Sequence, residues 1–213
     1  MMGEGNSKSW GEMLKSWTHP RVITMLFLGF SAGIPILLIF STLSAWLTEA
    51  GVKKSAVTFF SWAALGYSFK FVWAPLIDRM PLPWLTQKLG RRRAWMVVSQ
   101  LCIMGAILLM ALIDPASSHS HLTAMAWAAV LLGFSSATQD IVIDAYRIES
   151  ADADLQAMLS ATYIAGYRIG MLVAGAGSLA LAGYLGTSVE HYSYTAWRIT
   201  YFGVAFCMVV GLI

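Results

Sequence analysis

Four ionisable side chains lie inside long apolar runs of this sequence, where they could carry protons or hold charged solutes. They are Lys70, Asp140, Asp144 and Arg168. A charged side chain at the centre of a membrane helix costs roughly 2.5 to 3.5 kcal/mol on insertion scales, so it normally faces a cavity or a partner. A carboxyl group can take up and release a proton, and a guanidinium group can hold a carboxylate in a bidentate contact. We therefore expect these residues to face a shared polar cavity rather than lipid.

Two of these groups share one face of a predicted helix. Asp140 and Asp144 are four residues apart, and Gly133, Ser136 and Arg147 continue the same stripe at steps of three and four residues. The run that contains them is otherwise apolar. The sequence therefore predicts a helix with one polar face.

The helix rise predicts how deep each of these charges lies in the membrane. A helix rises about 1.5 Å per residue, which puts Lys70 and Asp140 at comparable depth in the inner half and Arg168 near the midplane. A cavity that opens inward would join these groups. The alternative is a structural ion pair of Lys70 with Asp140 or Asp144 that only holds two helices together.

The composition places the whole chain in a membrane. It has 58% hydrophobic and only 12% charged residues, whereas soluble domains carry about 25% charged residues. Each membrane helix needs about twenty apolar residues. We therefore predict an all-α membrane protein with an N-terminal segment at 1–21 and a six-helix bundle at 22–213. The six apolar runs are 22–47, 55–77, 94–113, 122–145, 157–185 and 198–213.

A short basic loop between the second and third runs predicts the orientation of the chain. Lys and Arg in short loops remain on the cytoplasmic side of the membrane. This assignment puts the N-terminus in the cytoplasm and leaves only Lys53, Lys54 and Arg198 on the other side. Because the positive charge is explained by topology, we expect no nucleic-acid partner. The loop motif consists of Asp78, Arg79, Gly90, Arg91, Arg92 and Arg93.

Small and aromatic residues predict how the helices pack. Gly166 and Gly170 are four residues apart in the fifth run, and Gly29 and Gly33 interrupt the first. Small residues at this spacing let helices approach closely, so we expect packing contacts there. Tryptophans near the ends of the runs, Trp46 and Trp197 among them, are expected to anchor in the headgroup layer.

Several stretches of the sequence resemble known transporters. The loop motif resembles the loop signature of the major facilitator superfamily. Residues 69–79, 136–145 and 166–173, taken together and in order, resemble the AmpG muropeptide permease family. The resemblance runs from about residue 17 to the end of the chain.

This resemblance implies a multi-pass transporter of the bacterial inner membrane. It would import anhydro-muropeptides (GlcNAc-anhydroMurNAc and its peptides) for peptidoglycan recycling, by proton symport and with no cofactor. Such fragments also feed the signal that induces beta-lactamase. Major facilitators contain two six-helix halves around a central cavity, so this chain would be the N-terminal half. Its partners would be membrane lipid, the muropeptide, protons and a missing C-terminal six-helix half.

The resemblance also implies roles for particular residues. Asp140 or Asp144 suits a proton carrier, because a carboxyl group in a low-dielectric cavity binds a proton more readily than in water. Arg168 suits a fixed anion site, and Lys70 could hold Asp140 ionised until protonation releases it. The implied substrate or proton pathway comprises Lys70, Gln139, Asp140, Asp144 and Arg168.

Other functions remain open at this point. The same fold could carry acetyl-CoA, a sugar or a siderophore. A membrane phosphotransferase could use Asp140 and Asp144 as Mg²⁺ ligands, although the acidic residues from Glu149 onward lack the motif context of such enzymes. The chain could also be a structural six-helix subunit. His119 and His121 have no third metal ligand nearby in sequence. We therefore expect a non-enzymatic carrier without a metal site.

Overall fold

The computed structural model describes residues 17–60, 65–150 and 153–212. Most of the predicted N-terminal segment lies outside the described residues, as do the last residue of the chain and residues 61–64 and 151–152. The described secondary structure is helical, with no strand in these three ranges. The α-helices are Pro20–Leu37, Leu43–Glu49, Lys54–Phe60, Leu65–Arg79, Leu85–Leu89, Arg91–Ala111, His119–Glu149, Ala153–Leu172, Ser178–Tyr184 and Tyr194–Cys207.

Among the described residues, five helical stretches are long and apolar enough to cross a membrane. They match the first, third, fourth, fifth and sixth predicted runs and are called spans by those numbers. Lys54–Phe60 and Leu65–Arg79 lie in the second predicted run, on either side of residues 61–64, and are together called the second span. The prediction of an all-α membrane protein is confirmed. The five stretches are Pro20–Glu49, Arg91–Ala111, His119–Glu149, Leu155–Tyr184 and Tyr194–Leu212.

Local sequence explains where several spans begin. The Ser118 hydroxyl accepts a hydrogen bond from the backbone N–H of His121 at 3.2 Å, which caps the fourth span. Ser193 caps the sixth span in the same way through Ala196. Side chains that accept from the first helical amides stabilise a helix start by about 1 kcal/mol. Gly90, with φ of 81°, makes the sharp change of direction before the third span.

The first and fifth spans pack against each other through glycine. A methyl group added at Gly29 or Gly33 would overlap a backbone carbonyl of the fifth span, at Tyr163 and Tyr167 respectively. Gly166 and Gly170 approach the backbone of the first span in the same manner. The two backbones therefore lie too close for any larger residue, and the predicted packing role of these glycines is confirmed.

Both of these spans also carry a π-helical segment at the same level. The segments are Leu38–Thr42 in the first span and Val173–Gly177 in the fifth. The Thr42 hydroxyl donates to the backbone carbonyl of Ala174 at 2.6 Å. A π-turn frees carbonyl groups from the regular helical ladder, and here a side chain of the neighbouring span satisfies one of them.

The apolar core divides into two clusters along the bundle. One lies toward the end that carries the loop Asp78–Arg93, here called the basic end, and includes Val22, Met25 and Met96. The other extends to the opposite end and includes Trp46 and Trp197.

The expectation that Trp46 and Trp197 anchor in the headgroup layer is wrong. Both side chains are fully buried, and their rings stack with centroids 5.6 Å apart. The Trp197 indole N–H donates to Glu49 at 2.8 Å, and that of Trp46 donates to the Tyr192 hydroxyl at 3.2 Å. Because each N–H finds an acceptor within the protein, the rings can leave the interface without an unsatisfied donor.

Candidate functional site

Lys70 and Asp140 form an ion pair between the second and fourth spans. The Lys70 Nζ lies 3.9 Å from Asp140 Oδ2, and the two side chains are 37% and 15% exposed. The other carboxylate oxygen of Asp140 is buried and has no hydrogen-bond partner among the described residues. The pair is therefore only partly satisfied, because one buried acceptor of Asp140 has no hydrogen-bond donor among the described residues.

One helical turn away, a second polar contact joins the same two spans. The Tyr67 hydroxyl donates to Ser136 Oγ at 2.7 Å. Tyr67 precedes Lys70 by three residues and Ser136 precedes Asp140 by four, so both contacts lie along one seam. Gly66 and Gly133 allow the backbones to approach at the next turn. Part of the polar face predicted for the fourth span, Gly133, Ser136 and Asp140, is thus turned toward the second span along this seam.

Asp144 belongs to a different contact. Its Oδ1 lies 3.2 Å from Arg147 Nη2 on the same helix. The Arg147 guanidinium lies 5.8 Å from the centre of the Tyr163 ring in the fifth span, within the range of a cation–π interaction. Of the two ion pairs considered from the sequence, Lys70 thus makes the one with Asp140.

Both carboxylates therefore have cationic partners. A divalent metal ion would have to displace Lys70 from Asp140 and Arg147 from Asp144. This arrangement disfavours the phosphotransferase alternative.

Arg168 is exposed and lies apart from the ion pair. Its guanidinium contacts Met171 Sδ at 3.9 Å, and the described residues supply no carboxylate within salt-bridge distance. Tyr167 precedes Arg168 in the fifth span. The Tyr167 and Tyr163 rings are 6.0 Å apart. The structure thus brings Lys70 and Asp140 together and does not bring Arg168 into contact with either.

Gln139 has different neighbours from Asp140. Its side chain is 1% exposed and donates to Gln100 of the third span, while Ser31 of the first span donates to the same Gln100 oxygen at 2.8 Å. Gln100 in turn donates to the Met208 carbonyl of the sixth span at 2.5 Å. This buried network joins four spans, and it lies on a face of the fourth span other than the one that holds Lys70.

The loop motif at the basic end is organised by one arginine. Arg92 Nη1 lies 2.5 Å from Asp78, and Arg92 Nη2 lies 2.7 Å from Glu149. The Arg92 side chain is 16% exposed, so this three-residue network is better shielded than a single surface pair. It ties together the ends of the second, third and fourth spans. Arg79, Arg91 and Arg93 make no ion pair with any described residue.

Comparison with known proteins assigns the chain to a family. The model of the family described as acetyl-coenzyme A transporter 1 matches residues 21–185, well over half of the chain. The chain belongs to the acetyl-coenzyme A transporter 1 family.

Relatives of this family member carry AmpG names. The AmpG 4 transporter of Rickettsia conorii is 37% identical over 193 residues, which cover 91% of this chain and 44% of that relative. The anhydromuropeptide permease of Escherichia coli is 38% identical over 171 residues, which cover 80% of this chain and 33% of the permease. The predicted AmpG resemblance is confirmed. The chain spans less than half the length of these relatives.

Several residues of the candidate site in this member of the acetyl-coenzyme A transporter 1 family were not predicted from the sequence. Tyr67 donates to Ser136, the Arg147 guanidinium lies over the Tyr163 ring, and Glu149 completes the Arg92 network. Tyr67 lies three residues before Lys70 and Tyr167 one residue before Arg168, so their proximity to charges inside apolar runs was an available signal. A lone tyrosine in an apolar run is ordinary, however, and no pattern selected these.

Proposed function

We propose that this chain forms the N-terminal half of an inner-membrane permease that imports anhydro-muropeptides by proton symport for peptidoglycan recycling. The observation that carries this proposal is the Lys70–Asp140 pair, in which a carboxylate with an open oxygen lies against a lysine between two spans. Ionisable groups in membrane spans mark ion and substrate pathways. The similarity to a protein named anhydromuropeptide permease supports the cargo.

Protonation of Asp140 is the coupling step in this proposal. A proton on the carboxyl group would remove the charge that holds Lys70 at 3.9 Å. The released ammonium group could then turn toward an anionic substrate, and deprotonation would restore the pair. Lys70 is more exposed than Asp140, so the lysine is the partner with room to move.

Arg168 is proposed to bind the substrate. Its guanidinium is exposed and has no carboxylate partner among the described residues. A muropeptide carries muramic and peptide carboxylates, which a guanidinium binds in bidentate geometry. Tyr163 and Tyr167 of the same span present neighbouring aromatic rings, 6.0 Å apart, against which a sugar can pack.

The second wall of the pathway is proposed to come from a C-terminal six-helix half. Transporters of this architecture place the substrate between two repeats, and alternating access moves one repeat against the other. In this proposal the chain supplies the wall with Lys70, Asp140 and Arg168.

Uptake by the complete transporter tests the coupling role. We expect Asp140→Asn to abolish the pH-dependent accumulation of labelled anhydro-muropeptide, because an amide cannot carry the proton. Asp144→Asn is the matched control, since Asp144 pairs with Arg147 on its own helix, and we expect a smaller loss. Accumulation should be measured in vesicles with an imposed proton gradient. Unchanged uptake in both variants would remove these carboxylates from coupling.

A second cargo is supported by the family match. The matching family is described as acetyl-coenzyme A transporter 1, and the phosphates of acetyl-CoA would also suit Arg168. Competition decides between the two: unlabelled anhydro-muropeptide should displace its labelled form from the transporter, and acetyl-CoA at equal concentration should not. Displacement by acetyl-CoA alone would reverse the assignment.

A further inference from the structure

A cavity lies at the basic end of the bundle, on a different face from Lys70 and Asp140. Its volume is about 300 Å³, and residues of the first, third, fourth and sixth spans line it. Leu28, Met96, Val97 and Leu212 form an apolar wall. This volume is at the lower limit of small-ligand sites. It suits a headgroup and the first part of a chain better than a whole lipid.

Three polar groups at this cavity have no partner in the described part of the chain. They are the guanidinium of Arg93 and the hydroxyls of Thr24 and Tyr146, each from a different span. Arg93 differs sharply from its neighbour Arg92, which is committed to Asp78 and Glu149. Pockets with an apolar lining and a few convergent polar groups are typical ligand sites.

The chemistry of these groups selects an anion with several acceptor oxygens. Arg93 offers a planar fork of N–H donors, and the two hydroxyls add two more donors. A phosphate group accepts from all three at once, and guanidinium–phosphate contacts are among the strongest hydrogen bonds in proteins. No carboxylate lines the cavity to compete for Arg93.

The apolar wall selects a lipid over free phosphate. It starts beside Arg93, in the first turn of the third span, and extends along Met96 and Val97 toward the membrane interior. Leu212 of this wall is 38% exposed, and a solute held by its phosphate alone would leave this side chain in contact with water. We infer that the cavity binds the phosphate headgroup of an anionic phospholipid from the leaflet at the basic end, with its acyl chain along this wall.

Lipid retention by the full chain tests this inference. The protein would be purified in mild detergent, supplied with phosphatidylglycerol or phosphatidylcholine, and examined by native mass spectrometry. We expect phosphatidylglycerol to be retained in preference to phosphatidylcholine. Loss of one charge-assisted contact in Arg93→Gln should weaken retention about ten-fold. Arg91→Gln removes the same charge from the same helical turn but outside the cavity lining, so it should leave retention unchanged.

A steric variant separates the cavity from general surface charge. Val97→Trp keeps every charge and fills the cavity, and it should also abolish retention while the thermal unfolding profile shows that the protein is folded. Equal loss in Arg93→Gln and Arg91→Gln, or full retention in Val97→Trp, would overturn the inference. Displacement of phosphatidylglycerol by an equal concentration of inorganic phosphate would overturn the choice of a lipid.

Discussion

The Lys70–Asp140 pair illustrates why a charge in a membrane span needs a specific neighbour. At 3.9 Å, with side chains 37% and 15% exposed, the pair is neither a surface contact nor fully buried. Exposed pairs contribute about 0 to 1 kcal/mol. Removal of one partner of a buried pair costs about 3 to 5 kcal/mol, because the remaining charge is uncompensated. We expect the contribution of the Lys70–Asp140 pair to the free energy of unfolding to fall between these limits.

Stability measurements on three variants test that balance. We expect Lys70→Met to lower the free energy of unfolding by about 1 to 3 kcal/mol, because it leaves the Asp140 carboxylate without its cation. The double variant Lys70→Met, Asp140→Asn should recover part of this loss. Lys88→Met, at an exposed loop lysine, is the control and should have little effect. Strictly additive losses in unfolding experiments would show that the two side chains do not interact.

At the scale of the helix, glycine sets the distance between the first and fifth spans. The four glycines approach carbonyl groups of the partner span in both directions. Such close contact replaces the hydrophobic driving force that helices lack in lipid. Because Tyr163 and Tyr167 supply the carbonyls opposite Gly29 and Gly33, the same contact also fixes the backbone that carries these two rings.

A pair of matched substitutions tests the role of this interface. We expect Gly33→Ala to destabilise the protein by about 1 to 3 kcal/mol, as overpacking does in a close-packed core. Gly105 in the third span has no neighbouring atom within 4 Å of an added methyl group. Gly105→Ala should therefore be neutral or stabilising by up to about 1 kcal/mol, the helix propensity difference. Thermal unfolding in one detergent compares them, and equal stability would contradict the packing role.

At the scale of the whole molecule, polar groups are distributed by end and by face. The basic end holds the Arg92 network and the Arg93 cavity, the middle holds Lys70 and Asp140, and the opposite end holds the buried tryptophans. Asp78 and Glu149 neutralise Arg92 but not Arg79, Arg91 or Arg93. The loop therefore keeps a net positive charge, which predicts a cytoplasmic location for this end.

Cysteine labelling tests this orientation. In a chain whose native cysteines are replaced, we expect a membrane-impermeant maleimide to modify Ser117→Cys in intact spheroplasts, because that exposed loop lies at the opposite end. Lys88→Cys, exposed at the basic end, should react only after the membrane is permeabilised. Labelling of position 88 in intact spheroplasts would invert the topology.

The sequence by itself determined the class of protein and the depth of its charges. Apolar runs long enough for a bilayer predict helices, since backbone groups in lipid must be satisfied within each segment. The rise of a helix then places Lys70 and Asp140 at one level. The glycines four residues apart also predicted close helix packing, because this spacing places them on one face of a helix.

Only the tertiary structure decided which groups meet. The sequence left Lys70 open to Asp140 or Asp144, because the choice depends on the relative rotation of two spans, which packing at Gly66 and Gly133 sets. The sequence analysis also assigned Gln139 and Asp140 to the same pathway, although the side chains of these adjacent residues contact different spans. Rotation and tilt come from contacts between distant segments, and a pattern within one helix carries no information about them.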